Sequence, residues 1–125
     1  MPYLLPLSRM RFVSPYFALA TALALAGCHS AFIDATVSNR TPATLRLIEV
    51  DYPSASFGTQ TLATGQDFHY RFKVLGNGPT TILWTDPAQH DRKNTGPTLH
   101  EYDEGKLTIT FNPTGPVWNF QPAGK

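Results

Sequence analysis

The strongest constraint on the fold is a strict two-residue alternation of apolar and charged side chains between residues 68 and 74. The apolar members are Phe68, Tyr70, Phe72 and Val74, and the intervening ones are His69, Arg71 and Lys73. A strand points successive side chains to opposite faces, so this segment would bury one face and expose the other. Residues 106–111 alternate in the same way between apolar residues and threonine or lysine. Both segments predict strands of an antiparallel sheet wetted on one side.

Other β-prone runs follow residue 31, separated by turns, and no segment there has the period of a helix. They cover residues 32–37, 44–51, 56–62, 80–85, 96–101 and 117–120. This spacing predicts an all-β fold, an antiparallel Ig-like β-sandwich of about seven strands over residues 32–120. Residues 86–94 are predicted to be a polar loop, and residues 121–125 a loose tail.

Two irregularities qualify this pattern. In residues 44–51, Leu45 and Leu47 share one face, whereas Ile48 and Val50 share the other. A bulge would place all four inside, and a strand covered on both faces is the alternative. Three Gly-Pro pairs, at residues 78–79, 96–97 and 115–116, each precede a β-prone run, and we interpret them as turns that start strands.

The body of the chain also resembles small secreted bacterial proteins with an Ig-like core and no assigned activity. The resemblance rests on four short segments: Glu49-Val50-Asp51-Tyr52-Pro53, Ser56-Phe57-Gly58-Thr59, Phe68-His69-Tyr70-Arg71-Phe72 and Gly96-Pro97-Thr98-Leu99. It implies the fold but no mechanism. The cysteine pair of antibody domains is absent.

The N-terminal segment has the layout of an export signal. Arg9 and Arg11 precede an uncharged apolar run of 14 residues, which is too short for the roughly 20 residues of a spanning helix. The run ends in Leu25-Ala26-Gly27-Cys28, which resembles the lipobox of bacterial lipoproteins. The resemblance implies a helical signal segment, residues 1–27, cleaved between Gly27 and Cys28. Cys28 would then carry a covalent lipid, and residues 28–31 would form a short tether.

An ordinary secretory signal is the alternative, because Ala20-Thr21-Ala22 and Ala24-Leu25-Ala26 both match the A-x-A cleavage pattern. Cys28 would then be an unexplained free thiol in an exported protein. Acylation would account for that thiol, so we favour the lipoprotein interpretation.

Composition excludes several functions for the 98 residues after residue 27. They carry 8 Lys and Arg against 9 Asp and Glu, which gives no basic surface for nucleic acid. Cys28 is the only cysteine, and both methionines lie before it, so disulfides and soft sulfur sites for copper are excluded. We predict no cofactor other than the lipid on Cys28.

The candidate binding residues fall into two groups and a single tryptophan. His69, Arg71 and Lys73 could form an anion-binding or headgroup-facing stripe, and a solvated sheet face is the alternative. His90, Asp91 and His100 could bind a small ligand or a metal, although their spacing matches no metal motif. Trp118 could join an aromatic ligand surface, whereas Trp84 is predicted to pack in the core.

No motif in the sequence predicts catalysis. A nucleophile elbow and the glycine-rich phosphate and dinucleotide loops are absent, and Asp103-Glu104 beside Gly105 reads as a turn. We therefore expect a non-enzymatic, lipid-anchored interaction or structural module of the cell envelope, with the membrane and an envelope protein as partners. A small-ligand or metal-binding envelope protein is the alternative. In a host with two membranes we predict the outer one, because His29 is not the aspartate associated with inner-membrane retention.

Overall fold

A computed structural model describes residues 30–124, which form eight strands and no helix. Among these residues no segment could cross a bilayer as a helix. The strands are β1 (Ile33–Asn39), β2 (Leu45–Tyr52), β3 (Ala55–Leu62), β4 (Asp67–Phe72), β5 (Gly78–Thr85), β6 (Asp91–Leu99), β7 (Gly105–Asn112) and β8 (Gly115–Pro122). The predicted signal segment, the cleavage position, Cys28 and His29 lie outside the described residues.

The strands form two four-stranded sheets. Sheet 1 has the order β4-β1-β7-β8, and sheet 2 has the order β3-β2-β5-β6. The predicted all-β sandwich is confirmed, with eight strands in place of about seven. Its pairing is not wholly antiparallel, because β1 runs parallel to β7 from Ile33 opposite Gly105 to Asn39 opposite Phe111. Alternation fixes which face of a strand is buried, but it does not fix the neighbour or its direction.

The core lies between the sheets and is made by the inward-facing side chains of both. Its members are Ile33, Ala35, Val37, Leu45, Ile48, Val50, Phe57, Leu62, Phe72, Val74, Ile82, Leu99, Leu107, Ile109 and Phe111. The alternation of β7 is confirmed, since Leu107, Ile109 and Phe111 are all buried. β4 ends two residues before the predicted boundary, at Phe72, although Val74 still reaches the core.

Aromatic rings fill the side of the sandwich where edge strands β3 and β4 face each other. The Phe57 ring stacks on Tyr70 with centroids 4.6 Å apart and is tilted against Phe72 at 5.5 Å, and the Tyr52 ring lies 4.2 Å from Phe72. Tyr70 remains 42% exposed because it lies on an edge strand. Desolvation, with a smaller contribution from Tyr70, raises the pKa of the Tyr52 hydroxyl. The rings therefore exclude water from this side of the sandwich, where β3 and β4 belong to different sheets and are not joined by strand hydrogen bonds.

Of the two possibilities left open for β2, the structure has the bulge, but with a different outcome for one leucine. The register against β5 shifts between Arg46 and Glu49, and Leu47 has a φ of 51°. Leu45, Ile48 and Val50 are buried, whereas Leu47 is 56% exposed. The bulge absorbs Leu47 as the extra residue and turns it to solvent, so three apolar residues enter the core and not four.

The Gly-Pro interpretation is correct for β5 and β8 and wrong for the third pair. Gly96 and Pro97 lie inside β6, where the register against β5 shifts by one residue. Proline is tolerated there because β6 is an edge strand with a bulge. The polar residues 91–94, predicted to be loop, are the first half of that strand. Their polarity reflects an exposed edge.

The predicted loose tail from Gln121 is also corrected. β8 continues through Pro122, which lies opposite Gly105, and the Ala123 amide donates to the Glu104 carbonyl at 2.8 Å. Pairing with β7 therefore orders residues that the sequence alone marks only as polar and proline-rich.

The course of the strands defines two ends of the domain. We call the end where β1 begins the near end; its loops are residues 53–54, 73–77 and 100–104. The opposite, far end carries the loops at residues 40–44, 63–66, 86–90 and 113–114. This division places every candidate site on one end or on a sheet face.

Candidate functional site

A cleft of about 570 Å³ opens between the two sheets at the far end. We call it the end cleft. Its walls come from three far-end loops and from the strands that enter or leave them. The lining residues are Thr41, Pro42, Ala43, Leu45, Trp84, Asp86, Pro87, Arg92, Lys93, Asn94, Phe111, Asn112, Pro113, Thr114, Gly115 and Pro116. Its volume lies within the range of about 300–1,000 Å³ that is typical of small-molecule sites.

The apolar part of the cleft is continuous with the core. Trp84 contacts Phe111 edge to face, with ring centroids 5.1 Å apart at 70°. Leu45 and Phe111 are buried, whereas Trp84 is only half-buried. Trp84 therefore packs against the core, as predicted, and also presents part of its indole ring to the cleft.

A buried asparagine holds one wall of the cleft. The Asn39 amide donates from Nδ2 to the Ala43 carbonyl at 2.9 Å and to the Leu62 carbonyl at 2.8 Å. Its Oδ1 accepts hydrogen bonds from the Thr41 amide at 2.9 Å and the Thr41 hydroxyl at 2.7 Å. Asn39 is 0% exposed. Three of these bonds fix residues 41–43 in place as the wall, and the fourth ties Asn39 to β3.

The opposite wall is organised by Asp86. Its Oδ1 accepts from the His90 amide at 2.9 Å, and its Oδ2 accepts from Arg92 Nε at 2.9 Å. Two hydrogen bonds lower the pKa of the Asp86 carboxyl below its ordinary value. The bond from the His90 amide has the larger effect, and the bond from Arg92 has the next largest. Asp86 therefore stays ionised at neutral pH, closes the loop at residues 86–90 and orients the Arg92 guanidinium.

This arrangement predicts a pH dependence of stability. The pKa of Asp86 is lower in the folded protein than in the unfolded chain, so its contribution is complete above about pH 4 and is lost on further acidification. We expect Asp86→Asn to flatten the fall of the unfolding free energy below about pH 4, measured by urea denaturation at a series of pH values.

Glu49→Gln is the control with the opposite sign. The hydrogen bond and the charge of Asp51 raise the pKa of the Glu49 carboxyl, so the folded state binds its proton more tightly than the unfolded chain. Glu49→Gln should therefore make the unfolding free energy fall more steeply as the pH decreases below about 4. If this fall were the same in Asp86→Asn as in wild type, the role given to Asp86 would be contradicted.

Trp118 and Asn94 close the side of the cleft where edge strand β6 faces β8. The indole Nε1 of Trp118 donates to Asn94 Oδ1 at 2.7 Å. The Trp118 ring lies directly over Gly96, where an added Cβ would overlap the ring and the Thr80 hydroxyl. Trp118, predicted as part of an aromatic ligand surface, thus lies beside the cleft and supports it through Asn94.

The structure does not bring His90, Asp91 and His100 together. His90 and Asp91 lie at the far end, where Asp91 Oδ1 accepts from the Thr85 hydroxyl at 2.9 Å. His100 lies at the near end, beyond the nine residues of β6. At about 3.3 Å per residue the strand separates the two histidines by about 30 Å. The predicted three-residue ligand set is therefore wrong, and residues 30–124 contain no group of three or more His, Asp or Glu that could hold a metal.

The stripe of His69, Arg71 and Lys73 lies along β4 and just beyond it, away from the cleft. His69 Nδ1 is 3.0 Å from the Thr36 hydroxyl, and Arg71 lies 3.7 Å from the Asp34 carboxylate. The Arg71 guanidinium also lies over the Phe32 ring at 4.3 Å, and the Lys73 ammonium is 5.5 Å from the Tyr102 ring. Each of the three thus has a neighbour on the domain, and a binding role for the stripe stays a prediction.

Sequence reasoning missed the end cleft because its residues come from five strands and three loops. No local spacing links Asn39 with Arg92 or Pro116. One signal was available: each of the three loops that line the cleft contains a proline, Pro42, Pro87 or Pro113. Prolines at the same end of a sandwich indicate rigid loops, although they do not show that the loops meet around a cavity.

Comparison with known proteins yields a fold and no function. No protein-family model matches the chain, and neither does any curated protein. An NMR structure of a protein from Eubacterium rectale matches 74% of this chain and 90% of its own length, with a TM-score of 0.52 and 10% sequence identity. At that identity the likeness concerns the fold alone: the domain is similar to a known β-rich structure.

Proposed function

We propose that this protein is a lipid-anchored, non-enzymatic binding module of the cell envelope. The observation that carries the proposal is the position of Cys28, the only cysteine, directly after a charged segment and an apolar run that end in Leu25-Ala26-Gly27. Acylation of Cys28 explains why an exported chain has a single thiol. Multiple acyl chains on one residue anchor a protein stably, whereas one chain holds it only marginally.

The proposed anchor implies an orientation of the domain. Residues 28–31 would span about 13 Å at most between the lipidated cysteine and Phe32, next to the near end. β1 then runs from the near end to the far end over seven residues, about 23 Å. A bilayer at the near end would leave the end cleft facing away from the lipid. Binding through the far end therefore fits a module held at a membrane surface.

Metabolic labelling with a radioactive fatty acid tests the anchor. We expect the wild-type protein to incorporate label and to fractionate with membranes, and Cys28→Ala to lose the label completely and to be released or remain unprocessed. Ser30→Ala, in the same tether, is the matched control and should behave as wild type. Membrane association of unlabelled Cys28→Ala at the wild-type mass would overturn the proposal.

Localisation and partners follow from the same proposal. In a host with two membranes, density-gradient separation should place the labelled protein in the outer membrane. The non-enzymatic assignment rests on the lack of a catalytic motif in the sequence. Of the alternative functions, metal binding by His90 and His100 is disfavoured by the length of β6 between them. Small-ligand binding is favoured by the end cleft.

A further inference from the structure

We infer that the end cleft binds a small anionic ligand with a flat apolar body, of the chemical class of aromatic carboxylates. This inference names a class of ligand for the binding role proposed above. It rests on that proposal only for the location of the protein at a membrane surface. It is argued from the charges, the hydrogen-bond donors and the apolar surface of the cleft.

The exposed guanidinium in the cleft wall suits an anion. Arg92 contributes one positive charge and Asp86 one negative charge, whereas Lys93 lies opposite Leu83 on the outer face of sheet 2, so its ammonium is not counted. Asp86 already accepts hydrogen bonds from the His90 amide and from Arg92 Nε, so its charge is largely compensated within the wall. The Arg92 side chain is 57% exposed, and its bond to Asp86 uses Nε alone. The N–H groups on its two Nη nitrogens are left to pair with a carboxylate.

The neutral polar side chains also favour a ligand that accepts hydrogen bonds. Asn94 lines the cleft, and its Oδ1 accepts the indole N–H of Trp118 at 2.7 Å. The group that Asn94 can offer to a ligand is therefore its Nδ2 donor. Together with the Nη groups of Arg92, it gives this wall N–H donors that can pair with a carboxylate.

The remaining surface suits a flat apolar group. The half-buried Trp84 ring, held edge to face against Phe111, provides an aromatic surface in the lining of the cleft. The lining also includes four prolines, Pro42, Pro87, Pro113 and Pro116. Proline fixes φ, and the Asn39 bonds fix one wall, so little conformational entropy is lost when a ligand orders the site. Aromatic stacking adds about 0.5–1.5 kcal/mol beyond the area buried.

The test compares 2-naphthoate with 2-naphthamide, which share a ring system and differ in charge. The protein is the mature chain with Cys28→Ser, which keeps the core and both sheets that the described residues form. Binding is followed by calorimetry and by NMR of the two tryptophan indole N–H signals. We expect 2-naphthoate to shift the Trp84 signal and to bind about tenfold or more tightly than 2-naphthamide, because of a charge-assisted hydrogen bond.

Variants at the two ends of the domain locate the site. Arg92→Gln should weaken 2-naphthoate binding about tenfold, Arg92→Lys should weaken it less, and Arg71→Gln, on β4, should leave it unchanged. A thermal melt confirms that each variant is folded. Equal binding of naphthoate and naphthamide, an unaffected Arg92→Gln, or a Trp84 shift caused instead by a neutral sugar would overturn the inference. Because this chain carries no lipid, failure here is distinguishable from failure of the fatty-acid labelling experiment.

Discussion

Replacing Asn39 with leucine should lower the unfolding free energy by about 3 kcal/mol or more. Asn39 makes four hydrogen bonds from a position with no solvent exposure. Leucine fills a similar volume but leaves the Leu62 carbonyl without the Asn39 donor and the Thr41 amide without its acceptor, and the Ala43 carbonyl keeps only the Thr41 hydroxyl. Each buried polar group left unpaired costs about 1–3 kcal/mol. Urea denaturation followed by tryptophan fluorescence measures the loss.

Two further variants separate the loss of these bonds from a general intolerance of leucine. Asn119→Leu, on the exposed face of β8, should change stability by no more than about 0.5 kcal/mol. Asn39→Asp keeps the acceptor for Thr41 but loses both donors to carbonyls, so it should also be strongly destabilising. If Asn39→Leu were as stable as Asn119→Leu, the wall formed by residues 41–43 would not depend on Asn39.

The second large effect is expected at Gly96. A Cβ there would overlap the Trp118 ring and the Thr80 hydroxyl, and the ring is held by the bond from Nε1 to Asn94. We expect Gly96→Ala to cost about 2 kcal/mol, as for overpacking of a well-filled core. Trp118 would have to move outward, so its fluorescence emission should shift to longer wavelength.

Gly78→Ala is the matched control for this substitution. Gly78 is also a strand residue, but its added Cβ would meet only Pro53, at the ordinary contact distance of 3.5 Å. We expect its stability to remain within about 0.5 kcal/mol of wild type. Equal stability of Gly96→Ala and Gly78→Ala would show that β6 and β8 can separate without cost, contrary to the close packing of Trp118 on Gly96.

The sequence predicted the fold class because alternation survives wherever one face of a strand is buried. Leu107, Ile109 and Phe111 followed it without exception. The rule failed at Leu47, because a bulge can place an apolar residue on either face and only the register against β5 decides which. It failed again at residues 91–94, where an edge strand carries the polar composition of a loop.

The candidate site could not be predicted to the same degree, because a cavity depends on which distant segments become neighbours. His90 and His100 are close in sequence, but β6 is extended, so they lie at opposite ends of the domain. Asn39 and Arg92 are far apart in sequence, yet they support the two walls of one cleft. No local pattern in the sequence marks Asn39 as a wall residue, because the carbonyl of Leu62 that it binds comes from another strand.

The parallel pairing of β1 with β7 has a consequence for how the chain folds as it is made. β1 is the first of the eight described strands to be synthesised, and β7, beside it in the middle of sheet 1, is the seventh. Sheet 1 therefore cannot be completed until Gly105, the partner of Ile33, has been synthesised. Such long-range contacts raise the contact order and slow folding. A chain that entered an export channel N-terminus first would thus remain unfolded, and able to pass through the channel, until most of it had crossed. If the chain is exported as proposed, the same topology would delay its folding until most of it has crossed the membrane.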